Sequence, residues 1–398
     1  MTSTAPAARW PVPLDDPYPG LRQLRDSGPV HWLPQTGAHP VGSHARAAEV
    51  LHGPGWSADP SLSPHLTSRL PAGPGNDLPA KFLLFSDPPS HSRLRRALSG
   101  WLTPRAVESS RRRIAAIAGA ALACHHDGEP LEVMDEVAYP VPLAVICELL
   151  GAPAELAVRL RDETPHMAAL LDPLADTVAL QAGAAAAFSL LVELVPLVAV
   201  RRNHPRPDLL SALAAGSGSE GGLGADEAVL MTLLLLAAGH ETTANLIGNA
   251  VAALHRHPHI ARFLRCRPDQ LPTAVEEILR YDSPVQLASR VARRDAPLGE
   301  TPIRRGEQVL VSLGAANRDP AAFPHPDRLD LRRQARPHLA FGHGAHFCAG
   351  AALARAEAQE VLRCLLELAP PIEERELTLE RGRSATFRRI NRLLLHGR

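Results

Sequence analysis

Ten residues, Phe341-Gly342-His343-Gly344-Ala345-His346-Phe347-Cys348-Ala349-Gly350, form a glycine-punctuated run that delivers a cysteine to the start of an apolar-periodic segment, Ala349 to Leu368. Gly342 and Gly344 permit backbone turns and close approach to a flat ligand. A helix starting near Ala349 places free N–H groups and a positive dipole end beside Cys348, which favours thiolate over thiol. A thiolate can ligate haem iron and push electron density toward breaking an O–O bond, a task histidine ligation performs less well. Two blander readings stay open: a loop ending in a buried structural cysteine, and a zinc site of His338, His343, His346 and Cys348, whose spacing departs from paired Cys/His knuckles.

A second group lies inside the apolar run after Asp226: Ala237-Ala238-Gly239-His240-Glu241-Thr242-Thr243. Glycine inside a helix costs about 1 kcal/mol relative to alanine, and buried polar groups need partners, so the group suggests function. Ala238 and Thr242 share one helix face, where a small side chain leaves a cavity that a hydroxyl reaches. Thr242 can hydrogen-bond bound oxygen and Glu241 can pass protons inward through water. The alternative is a helix kink with threonine hydroxyls bonded back one turn. Glu277 and Arg280 stand at i, i+3, as in many surface pairs. His91 and Arg95 are one helical turn apart after Asp87-Pro88-Pro89; two donors on one face suit carboxylates, although with Arg93 and Arg96 they equally make a solvated basic face.

Long elements must position these residues. Asp226 and Glu227 suit the positive end of a helix running to about Leu254, roughly 40 Å long. The Ala/Leu/Val segments from His91 to Leu264 have helical spacing, with interruptions expected at Pro140, Pro142, Pro153, Pro173, Pro196 and Pro205. Pro/Gly-dense coil precedes them, including Gly53-Pro54-Gly55 and Gly73-Pro74-Gly75, and Ser217 to Gly224 reads as a linker. We expect one domain over 1–398, helix-rich over about 91–281 and 349–368, β-rich over about 30–50 and 284–313.

Forty-two basic residues balance forty-two acidic ones in 398, so the field that drives nucleic-acid binding is absent. Lys81 is the only lysine, a bias of GC-rich coding sequences that points to an actinomycete-like source. The longest apolar stretch, Ala228 to Ala238, is too short to span a bilayer, and Met1 to Pro13 lacks signal-peptide character, so no membrane and a cytoplasmic location are expected. Cys124, Cys147, Cys266, Cys348 and Cys364 are few and irregularly spaced, as in a reducing compartment.

In this order the segments resemble the cytochrome P-450 family, from about Asp16 to Leu368. The resemblance implies a mainly α fold with a small β region, a triangular helical prism enclosing haem b, with Cys348 as axial ligand and Phe341, Gly342, Ala238 and Gly350 beside the cofactor. It implies that Glu241 and Thr242 are the acid and alcohol of oxygen activation. Glu277 and Arg280 would be the structural pair locked onto Arg328 or Arg332 to Arg333, and His91, Arg95, Arg290 and His346 would hold the propionates. Ala316-Asn317-Arg318-Asp319-Pro320 matches a stretch frequent in bacterial members. Gly37 to His44 and Arg388 to Arg398 depart from the family pattern.

The implied activity is insertion of one atom of O2 into a lipophilic small molecule, in natural-product biosynthesis. The chain has no dinucleotide fingerprint, so electrons come from a ferredoxin and its NAD(P)H-dependent reductase, with Arg355 and Arg96 as docking residues. Leu235, Ala238, Val285 and Leu287 are candidate pocket residues, with parts of Trp56 to Phe85 and Leu156 to Pro196, and Thr386 and Phe387. A haem-thiolate binding or sensor protein, and a family member performing oxidative coupling or desaturation, are the alternatives.

Overall fold

The computed structural model describes residues 12–397 except 29, 31, 35, 69–80, 124, 174, 217–221, 334–336 and 369. The Gly73-Pro74-Gly75 turn, Cys124, the start of the Ser217 to Gly224 linker and the middle of the Trp56 to Phe85 pocket segment lie outside these residues.

Short elements come first: α1 (Tyr18–Asp26), β1 (Ala38–Val41), α2 (His44–His52), β2 (Trp56–Ser57), α3 (Pro64–Thr67) and α4 (Ser90–Arg96). A helical body follows with α5 (Pro104–Leu122), α6 (Pro140–Leu150), α7 (Ala154–Met167), α8 (Thr177–Asn203), α9 (Leu209–Ala214), α10 (Ala225–Arg256), α11 (Pro258–Cys266) and α12 (Leu271–Tyr281), with the two-residue β3 (Leu131–Glu132) between α5 and α6. After β4 (Leu287–Ala292), β5 (Ala296–Leu298), β6 (Thr301–Ile303), β7 (Gln308–Ser312) and α13 (Leu313–Ala316), coil leads to α14 (Ala351–Leu366), β8 (Leu377–Arg381) and β9 (Ile390–Leu395).

The strut α10 starts where Glu227 Oε2 accepts the Gly224 N–H at 2.9 Å, with Asp226 and Glu227 meeting the positive dipole end. From Thr243 to Leu254 it is buried throughout, and α6, α8 and α14 pack around it. Gly239 has a packing reason: a Cβ there would lie 3.1 Å from Ile146 of α6. The cost of a mid-helix glycine is therefore offset by helix-on-helix contact, and does not by itself signal chemistry.

One sheet runs β1-β7-β4-β2, with β1 parallel to β7 and β4 antiparallel to it. Among the described residues of the 30–50 region only four, Ala38–Val41, are strand, because α2 occupies its second half. A second sheet, β3-β9-β8, lies outside both expected β regions and draws Ile390–Leu395 into a strand. The proline expectation fails at Pro196, which sits inside α8. Val192, whose carbonyl loses its partner there, is exposed, so water can serve it. By length and composition alone α8 and α10 are apolar enough to cross a bilayer, a test that the core helix of a soluble protein also passes, and α10 is mostly core.

Candidate functional site

The loop before α14 closes on itself. Cys348 N–H donates to Phe341 O at 2.9 Å, Gly342 N–H to Leu339 O at 2.9 Å, and Gly344–His346 form a 3-10 turn. Gly342 and Gly344 have φ of 71° and 73°, the left-handed region that glycine tolerates. Gly344 approaches protein and not a ligand, since a Cβ would lie 2.9 Å from the Leu51 carbonyl oxygen. Gly350 caps α14, and a Cβ on it would meet nothing within 4 Å.

Cys348 retains accessible surface, yet enough protein surrounds it that desolvation pushes its thiol up. The Gly350 N–H, Arg95 and Arg355 pull the other way without winning. The helix terminus therefore does not deliver a thiolate by itself, as the sequence suggested; a bound cation would have to complete the deprotonation.

His91, Arg95, Arg290 and His346 converge. The rings of His91 and His346 lie 4.2 Å apart. Burial and then Arg290 push His346 down to about 3, and burial followed by Arg95 lowers His91. The neighbouring carboxylate, Asp87, is engaged by Arg293 at 2.6 Å, by the Ala58 N–H at 3.1 Å and by the Ser57 hydroxyl. Among the described residues Arg95 and Arg290 form no ion pair, and buried His91 Nε2 has no partner. An opening of about 470 Å³, bounded by His91, Arg95, Ala345 and Ala349, runs beside them. Two arginines without an ion pair, flanked by two histidines that burial keeps neutral and by an Asp87 already engaged, fit a ligand that brings carboxylates.

On α10, Leu234, Leu235, Ala237, Ala238, Gly239 and Thr242 retain accessible surface in an otherwise buried stretch. Thr242 Oγ1 donates to Ala238 O at 2.9 Å and Thr243 Oγ1 to Gly239 O at 3.1 Å, so both hydroxyls bond back one turn. Glu241, about 100° round the helix from Thr242, is buried toward the second sheet. Its Oε1 accepts from Asn245 Nδ2 at 3.2 Å and lies 3.7 Å from Arg389 Nε, while Oε2 has no partner. The structure thus separates Glu241 and Thr242 onto different faces. Asn245 and Arg389 were not found from sequence: the first carried an i, i+4 signal, the second is brought in only by the tertiary fold. Glu357 of α14 was also missed; it is fully buried near Thr243, and desolvation raises its carboxyl well above the ordinary range.

Glu277 and Arg280 are buried and bidentate, with both bonds at 2.8 Å. Arg280 also donates to Asn317 O, Pro326 O and Arg328 O. Glu277 Oε1 accepts from Arg333 Nε at 3.1 Å and Asp330 N at 3.0 Å, so Arg333 supplies the third side chain and Arg328 only its carbonyl. Arg355 is not a free surface cation. It grips Glu276 at 2.6 and 2.9 Å and lies 4.5 Å over the Phe341 ring, tying the cysteine loop to α12.

Of the pocket candidates, Val285 bridges to Phe387, and Thr386 Oγ1 donates to Leu171 O at 3.0 Å. Leu287 lines a small cleft with Leu14, Leu21 and Phe387. Strand alternation gives Arg290's face to Ala288 and the opposite face to Leu287, which departs from the expectation.

The cytochrome P450 family model matches residues 269–368, which hold the Glu277–Arg280 pair and the cysteine loop. The chain is 39% identical over 383 residues to the vitamin D(3) 25-hydroxylase of Pseudonocardia autotrophica, covering 93% of this chain and 92% of that one. It is 39% identical over 292 residues to the biotin biosynthesis cytochrome P450 of Bacillus subtilis (strain 168), 73% of this chain and 74% of the relative. The solved structure of P450BioI in complex with hexadec-9Z-enoic acid ligated acyl carrier protein superposes with a TM-score of 0.87 at 33% identity, covering 96% and 98% of the two chains. Helical strut, cysteine loop and buried pair thus define a cytochrome P450 fold, and the chain belongs to the bacterial cytochrome P450 monooxygenases, enzymes built around a haem-thiolate cofactor.

Proposed function

We propose that this chain inserts one oxygen atom from O2 into a lipophilic organic substrate, as a step of natural-product biosynthesis in the cytoplasm, with haem b held by Cys348. The observation that carries the reading is the pairing of two accessible surfaces on packed helices: Cys348 ahead of α14, and the Leu235–Ala238–Thr242 stripe on α10. Bound between them, haem supplies the redox centre at which O2 is activated, and thiolate ligation favours O–O cleavage.

The chain's residues do the remaining work. His91, Arg95, Arg290 and His346 offer donors to two propionates, and Gly350, Phe341, Gly342 and Ala238 leave room for a flat ring. Thr242 spends its proton on Ala238 O, so its lone pairs accept from water or substrate and orient that donor's proton. Glu241 Oε2, unpartnered in the protein, is where water can dock and receive a proton for delivery inward. Apolar Leu235 and half-buried Val285 favour a lipophilic ligand, in keeping with relatives named for vitamin D(3) 25-hydroxylation and 6-deoxyerythronolide B hydroxylation. Electrons come from a small acidic ferredoxin with its NAD(P)H-dependent reductase. Exposed Arg96, beside the opening near Cys348, suits such a partner, whereas Arg355 is occupied by Glu276.

The test is spectral and catalytic. The reduced carbon-monoxide complex should show the strongly red-shifted Soret band of thiolate ligation, lost in Cys348→His, and a surrogate ferredoxin should support NAD(P)H- and O2-dependent product formation. A histidine-type spectrum in the native protein would overturn the ligation; a thiolate spectrum with no turnover on any lipophilic substrate would favour a binding or sensor role.

A further inference from the structure

Helix α8 is apolar on two opposite faces. Its inner face, Gly183, Ala186, Leu190, Leu194 and Val198, packs into the protein. Its outer face carries a second stripe: Gln181, Ala185, Phe188, Val192, Val195, Ala199 and Arg202, all exposed. Phe188, Val192 and Val195 retain 68%, 59% and 55% of their surface. The outer spacing runs 4, 3, 4, 3, 4, 3, the repeat of a helix-on-helix seam. The only charged residue between Thr177 and Val200 is Glu193, which lies off the stripe and pairs with Arg159 at 2.6 Å. An outward row of this length needs a partner.

We propose that α8 is the contact of an antiparallel homodimer, two copies pairing their Gln181-to-Arg202 stripes about a twofold axis at Val192. The stripe is self-complementary when reversed. Val192 meets its own copy, Phe188 meets Val195, Ala185 meets Ala199, and Arg202 meets Gln181 one turn beyond exposed Asp176, an isologous pattern. Arg202 Nε donates to Ala214 O at 3.0 Å within its own chain, so it closes the stripe at its edge; a parallel arrangement would align the helix dipoles, whereas the antiparallel one opposes them. A seam of 22 residues is about 33 Å long and covers on the order of 600 Å² per copy, the lower edge of specific interfaces. Such a dimer forms at roughly micromolar concentration. A lipid surface fits less well, because interfacial helices carry cationic residues along a solvated face, and the face of α8 opposite the stripe is buried in protein.

The test is sedimentation of haem-loaded protein from about 1 to 100 µM, the range in which a micromolar dimer dissociates. The mass should rise from the monomer, a 42.6 kDa chain plus haem, toward twice that value. Phe188→Glu and Val192→Glu should each weaken association more than about tenfold, since each buries an unpaired charge, while Val158→Glu, exposed on α7, should not. In a Cys266→Ser background, Val192→Cys should cross-link to itself on oxidation and Val178→Cys should not, which decides the matter even if the glutamate variants misfold. A monomer throughout the range overturns the proposal, as does association unchanged by both seam variants. Flotation with anionic vesicles that needs Val192, in a protein that stays monomeric, assigns the face to lipid instead.

Discussion

Replacing Glu277 with alanine strands two guanidinium groups. In the native protein its carboxylate accepts two bonds from Arg280, one from Arg333 and one from the Asp330 N–H. Breaking a buried pair from one side costs about 3–5 kcal/mol, because the remaining charge is uncompensated. Here three carbonyls, of Asn317, Pro326 and Arg328, still solvate Arg280, which places Glu277→Ala toward the lower end of that range. Arg280→Ala leaves Glu277 its bonds to Arg333 and Asp330, and Arg328 O its bond from Arg333 Nη2, but deprives the Asn317 and Pro326 carbonyls of their donor, so a comparable loss is expected. Arg333→Ala should cost only about 1–2 kcal/mol, since Glu277 keeps its buried bidentate partner. Against a total stability of about 5–15 kcal/mol, the first two variants should give little folded, haem-loaded protein at 37 °C and the third a moderately lowered Tm. The assay is yield, haem content and thermal unfolding of the three side by side. Equal losses in Arg333→Ala and Glu277→Ala, or normal yield in the latter, would refute the idea that this carboxylate organises the coil leading to Cys348.

Thr242→Ala should leave NAD(P)H consumption and substrate affinity nearly unchanged while product per NAD(P)H falls about tenfold and hydrogen peroxide rises; Thr243→Ala should do less, and unchanged coupling in the Thr242 variant would withdraw that hydroxyl from proton positioning. Glu357 gives a pH test: its carboxyl, pushed above the ordinary 4.5 by burial, holds a proton in the folded state that the unfolded chain has released. Its stability contribution is therefore complete below about pH 4.5 and is lost as pH rises toward the folded value. Glu357→Gln removes that dependence, so the variant should gain on the native protein by up to about 1.4 kcal/mol per pH unit above 4.5, read from Tm at pH 5 and 8. A pH-independent difference would mean that Glu357 is ionised in the fold.

Local spacing singled out Cys348, Thr242 and the Glu277–Arg280 pair as candidates, because each belongs to a helix or to a tight loop ahead of one, and the family resemblance gave them their expected roles. What those residues do with their hydrogen bonds was not legible, since partners arrive from distant elements. Glu241 illustrates the limit: its sequence neighbour Thr242 faces the accessible stripe, whereas its bonding partners are Asn245 one turn on and Arg389 from the far end of the chain. Arg355 shows the same from the other side, for seven residues past Cys348 it reads as a surface cation, yet Glu276 of α12 claims it. The β3-β9 pairing escaped because β3 is only two residues long and meets β9 across more than 240 residues, leaving no alternation long enough to count. Helix α8 lies within the segment expected to be helical, but its outer stripe escaped, because apolar residues on both faces erase the single-sided periodicity that marks a surface helix. Its inner stripe is explained by this fold. Its outer stripe has the same regularity, and a fold that buries only one of two such stripes leaves the other for a second molecule.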